Sequence, residues 1–147
     1  MMNFDEYIRQ SEPQKREKGY AWQTAIGLQA VDGLKPSDYL IETARKDIEG
    51  EITIDEAEQL IRSYYQSKIA HTPEDAEIHE ADMASTNIRR LLTEKTFAFT
   101  LVGLTSIHRR IFDGVFKFAG QIRDYNITKK EWVLRGDTVL YVSCLLY

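Results

Sequence analysis

Between residues 101 and 118 the apolar positions repeat at helical spacing. Leu101, Leu104, His108, Ile111, Val115 and Phe118 follow steps of three and four, which puts them on one face of a helix. Phe112 and Phe116 widen that face, and Arg109, Arg110, Asp113 and Lys117 point away from it. The Thr100 hydroxyl suits an N-cap, and Gly120 suits the left-handed residue that stops a helix. The pattern predicts one amphipathic core helix from Thr100 to Gly120, with the rest of the chain arranged around it. Beyond it, 127–134 and 138–142 read as two strands joined by Arg135-Gly136-Asp137, a hairpin signal in which the triplet is a turn.

Three shorter helical patterns occupy the N-terminal third. The first covers 20–31, with Trp22, Ile26 and Gln29 or Ala30 on one face, and stops at Asp32-Gly33. Ser37 caps the second, over 38–49, which buries Tyr39 or Leu40 with Ile41, Ala44 and Ile48 before Gly50 breaks it. Thr53 caps the third, over 54–66, which buries Ala57, Leu60, Ile61 and Tyr64. Residues 1–19 are polar and expected to be mobile, apart from a turn at Phe4, Tyr7 and Ile8. A polar connector at 67–74 contains Pro73, which opens a further helix with acids at its positive end. Ala81, Ala84, Ile88, Leu91 and Leu92 form its buried stripe, with Arg89 and Arg90 expected to be exposed. The expected organisation is therefore 1–19 as a polar segment, 20–67 as a three-helix region and 68–147 as a second helical region ending in the hairpin.

With 147 residues the chain fits one domain, long enough to bury about two thirds of its surface on folding. Its hydrophobic content of 43% against 29% charged residues excludes the disordered class. A net charge of −4 argues against a nucleic-acid binder, which needs a basic footprint. The charge is uneven: from His108 to Arg135 there are seven basic residues against three acidic ones. That local excess suits either a solvated face or a phosphate-bearing ligand. The single Cys144 has no partner for an internal disulfide, and no apolar run reaches the ~20 residues of a membrane span. A soluble, cytoplasmic protein without a membrane partner is expected.

Two metal motifs fail on chemistry. Gly50, Ile52 and Glu56 fall on the glycine, apolar and glutamate positions of a calcium loop. Its first position, which must supply an anionic oxygen, is Arg45. His71 and His79 have no third ligand nearby in sequence, so no metal site is expected. His108 lies on the apolar face of its helix, where a hydrogen-bonded core histidine is expected rather than a catalytic one.

The run IHRRIFDGVFKFAGQIRDYNITKKEWVL, beginning at Ile107, resembles the first core helix and the following flap of Fic-domain proteins. The resemblance rests on the order Ile107-His108, Ile111-Phe112, Phe116, Ala119-Gly120, Arg123 and Asn126-Ile127, and extends well over 82–141. It implies a mainly α-helical bundle of Fic type with one β-hairpin near the C-terminus. It also implies transfer of AMP from ATP, with Mg²⁺, to a protein hydroxyl. The hairpin would be the flap that holds the protein target, through Lys130, Trp132 and Leu134. The family's catalytic pattern, His-x-Phe-x-(Asp/Glu)-Gly-Asn-(Gly/Lys)-Arg, is not met at His108, where Asp113-Gly114 fall one place late and no Asn follows. No catalytic residue is therefore assigned, the core is read as truncated, and ATP and Mg²⁺ belong to a C-terminal half.

The region 20–67 resembles the VbhA-like antitoxin found beside Fic domains, whose inhibitory helix carries Ser/Thr-x-x-x-Glu followed by Gly or Asn. Two registers are open. Asp32-Gly33 has the acid and the glycine, with Leu28 where the hydroxyl should stand, whereas Thr24 has the hydroxyl without the acid. The reading is the regulatory and flap-bearing N-terminal part of a Fic-type protein adenylyltransferase, inactive by itself. The alternative is an antitoxin-like or docking module that binds protein. Under the first reading the face of Leu104, Ile111, Val115 and Phe118 lacks the helices meant to cover it and is expected to self-associate.

Overall fold

The computed structural model describes residues 4–9, 12–68, 72–94, 98–122, 127–130 and 138–141, the last two stretches as backbone. The chain is mainly helical. In order come α1 (Asp5–Ile8), α2 (Pro13–Val31), α3 (Asp38–Glu49), α4 (Ile54–Gln66), α5 (Pro73–Leu91) and α6 (Leu101–Ile111). Strands β1 (Ile127–Lys130) and β2 (Thr138–Tyr141) follow and pair antiparallel, with Ile127 opposite Tyr141 and Lys130 opposite Thr138. The turn Arg135-Gly136-Asp137 lies outside the described residues.

Capping chemistry sets the helix starts. Ser37 accepts from the Leu40 N–H, and Thr53 with Glu56, and Thr72 with Asp75, form reciprocal capping boxes. Gly50 closes α3 at φ 82, a left-handed backbone that a side chain resists. In the Thr53 box the Glu56 carboxylate accepts from the Thr53 backbone N–H at 2.7 Å, and these bonds hold its pKa below the usual carboxylate range. Thr53→Ala should cost about 1 kcal/mol in urea unfolding at neutral pH. Because the Glu56 pKa is lowered on folding, its share is present above the ordinary carboxylate range and fades as pH falls through the folded value. The gap between wild type and Glu56→Ala should therefore narrow in acid. A gap between those two that does not change with pH would mean that the Glu56 charge adds nothing to the cap.

Helix α5 packs against α2, α4 and α6, while α1 and α3 pack on α2. From Ala81 to Arg89 every residue of α5 is buried, because α2 and α4 lie along it and α6 crosses its end. One apolar cluster joins Phe4 and Tyr7, Trp22, the α3 residues Leu40, Ile41, Ala44 and Ile48, Ile61 of α4 and Met83 of α5. The expected regions 20–67 and 68–147 thus meet in a single core.

Four expectations are corrected. The helix expected from Tyr20 starts at Pro13, a residue preorganised for a first turn, and the turn expected at Phe4 and Tyr7 is a buried one. Lys15 reaches Glu49 at 2.9 Å, and Gly19 passes close to Tyr7, so the polar segment is tied down. In α4 only Ala57 and Ile61 are buried, while Leu60 and Leu92 lie partly or half open. Arg89, expected to be exposed, is 2% exposed. The helix expected over 101–119 ends at Ile111, because Gly114 takes φ 79 and turns the chain; separate turns then run to Gly120 at φ 74.

Candidate functional site

Two buried carboxylates bind the N-terminal helices to α5. Asp47, on α3, is 1% exposed; its Oδ2 accepts from Trp22 Nε1 at 2.8 Å and lies 3.0 Å from Arg89 Nη2. Lys18 adds a donor to the Asp47 carbonyl at 2.6 Å and an ion pair at 3.1 Å to Oδ1. Asp82, on α5, accepts from the Ser37 N–H at 2.8 Å, the Ser37 hydroxyl at 2.5 Å and the Tyr65 hydroxyl at 2.6 Å. Burial nonetheless raises the Asp82 pKa, because desolvation outweighs those donors. Desolvation, with the neighbouring Asp82 carboxylate, raises the Tyr65 hydroxyl too. Burial lowers the His79 imidazole, which lies against the Tyr65 ring.

The far side of α5 faces α6 across a polar seam. Asn87 donates to the carbonyls of Ile111 at 2.9 Å and Asp113 at 3.1 Å, satisfying groups at the open end of α6. Arg62 bridges Glu58 at 2.9 Å and Asp113 at 2.6 Å; Arg90 pairs with Glu58 and Asp55, and Arg110 with Glu94. Glu58, Arg62, Asn87, Arg90, Arg110 and Asp113, together with Arg109, line an open cleft of about 250 Å³.

The outer face of α6 is uncovered. None of its residues is buried; Leu101, Leu104 and Phe118 are 58%, 60% and 58% exposed, and Phe99 and Val102 extend the patch. Only Val115 of the predicted stripe packs against the central cluster. His108 is half-buried, accepts from the Gly120 N–H at 2.8 Å and lies against Phe112, in keeping with a structural histidine.

The predicted site residues do not converge. Thr24 is half-buried in the middle of α2, whereas Asp32 is exposed at its C-cap and Gly33 follows at φ 78. Eight residues of helix separate Thr24 from Asp32, roughly 12 Å of rise. Asp32 lies near Glu80, whose carboxyl is pushed up first by burial and then by the Asp32 and Glu77 charges. Lys130 is the last residue of β1, and Trp132 and Leu134 fall outside the described residues. Sequence reasoning missed Asp47, Arg89, Asn87 and the arginine cleft. The Arg89-Arg90 pair carries the one usable signal: neighbours on a helix point about 100° apart, so one can turn inward while the other stays out.

Among the described residues no helix is long and apolar enough to cross a membrane. No family model, curated protein or solved structure matches the chain.

Proposed function

We propose that the chain is the regulatory and flap-bearing part of a Fic-type protein adenylyltransferase, unable to transfer AMP by itself. The observation that carries the reading is the open apolar face of α6, in the very stretch whose residue order resembles the first Fic core helix. Each large side chain left wet on that face forgoes about 1.5–3 kcal/mol, so a covering partner would bind there with real gain. The partner that fits is the remainder of a Fic core, which would also bring the groups for ATP and Mg²⁺; no residue of this chain is assigned to either. The β1–β2 pair would serve as the flap, adding a target segment as a further strand, with Lys130, Trp132 and Leu134 beside it. Asp32, exposed at the C-cap of α2, would offer a carboxylate to the catalytic-loop arginine. The setting would be the cytoplasm.

The test fuses the chain to the C-terminal half of a Fic catalytic domain and follows Mg²⁺-dependent transfer of labelled AMP. The chain alone should label nothing, and above micromolar concentration it should self-associate and bind hydrophobic dyes. The fusion should be active, Leu104→Asp should abolish that activity, and Asp32→Ala should raise it by about ten- to a hundredfold. Thr24→Ala should do little. An inactive fusion, with Leu104→Asp leaving the oligomeric state unchanged, would sink the enzyme reading and favour a standalone docking module.

A further inference from the structure

The cleft between α4, α5 and α6 gathers four guanidinium groups, one of which the ion pairs around it leave free. Its lining holds four guanidinium groups, from Arg62, Arg90, Arg109 and Arg110, against two carboxylates, Glu58 and Asp113, with Asn87 neutral between them. The outer partners of Arg90 and Arg110 are Asp55 and Glu94, both open to solvent, where an ion pair holds weakly. Arg109 has no carboxylate partner among the described residues. Its side chain runs past Gly120, where a Cβ would strike both Arg109 and the Thr105 carbonyl, so the glycine keeps that path open. We infer that this cleft binds a small phosphorylated molecule, with Arg109 as its principal donor and Arg62, Arg90 and Arg110 around it. Planar guanidinium forks match phosphate oxygens two at a time, and Arg109 is the guanidinium of the lining that no described carboxylate already holds. A volume near 250 Å³, below the roughly 300–1,000 Å³ of drug-sized pockets, limits the ligand to a small one. The inference stands on the cleft alone and does not require the adenylyltransferase reading.

Calorimetric titration of the full chain with inorganic phosphate and, separately, with O-phosphoserine tests it. One site per chain is expected, and the tighter of the two probes tells whether free phosphate or a phosphate ester is preferred. Arg109→Gln, at an exposed position, should weaken binding about tenfold or more by removing a charge-assisted donor. Arg16→Gln, exposed on α2, should leave it unchanged. Circular dichroism of both variants checks that they remain folded. No saturable binding of either probe, or an equal loss in Arg16→Gln, would overturn the assignment, because generic attraction to surface arginines would then explain the data.

Discussion

Asp47→Ala should lower the stability of the chain by roughly 3–5 kcal/mol, enough to unfold a marginal domain. The substitution leaves Arg89 as an unpaired charge at 2% exposure and strips the Trp22 indole N–H of its acceptor. Arg89 has nowhere else to turn, since its Nε and Nη1 make no hydrogen bond among the described residues. Lys18 loses its ion partner as well, though its bond to the Asp47 carbonyl survives. Two-state urea unfolding of Asp47→Ala, Arg89→Ala and the double variant Asp47→Leu/Arg89→Met measures the effect. The double variant should recover much of the loss, because an apolar pair leaves no orphaned charge to desolvate. A single-variant cost below about 1 kcal/mol would mean that water reaches the pair and that the two regions are not tied here.

Asp82→Ala should cost about 2–3 kcal/mol, because three donors from α4 and the α3 cap lose one shared acceptor. Tyr65 and Ser37 are half-buried, so partial rehydration keeps the cost below that at Asp47. The pH dependence carries a sign. Burial holds the Asp82 pKa above the unfolded value, so the folded state keeps this proton more tightly than the unfolded chain does. Its contribution is therefore fullest below the ordinary carboxylate value of about 3.9 and declines as pH rises through the raised folded value. Comparing wild type with Asp82→Asn cancels the other titrating groups. The advantage of wild type should be larger at mildly acidic pH than at neutrality. The opposite trend would show that the three hydrogen bonds, not burial, govern this carboxyl.

The placement of α3, α4 and α5 was legible in the sequence, since Ser37, Thr53 and Thr72-Pro73 are local capping signals that need no tertiary partner. The stop of α6 was not. Gly114 and Gly120 both take positive φ, and periodicity cannot say which of two glycines ends a helix. The polar N-terminus misled for a related reason. Lys15 and Lys18 look solvated until α3 brings Glu49 and Asp47 against them, 34 and 29 positions away in the chain. Charge in a sequence reports composition, whereas the burial of charge depends on which distant residue supplies the counterion.

The helical periods and the caps are complete in the sequence, because each depends on neighbours within a few positions. Only the tertiary structure decided that α5 packs against α2, α4 and α6 and that Arg89 turns inward while Arg90 joins a cleft. It alone decided that Leu101, Leu104 and Phe118 of the most regular apolar stripe face outward while Val115 packs on the core. A stripe states that a face needs covering. Whether this chain covers it depends on helices packing across long separations, and in the described structure α1 to α4 spend their apolar surface mainly on one another, with Met83 of α5 joining them.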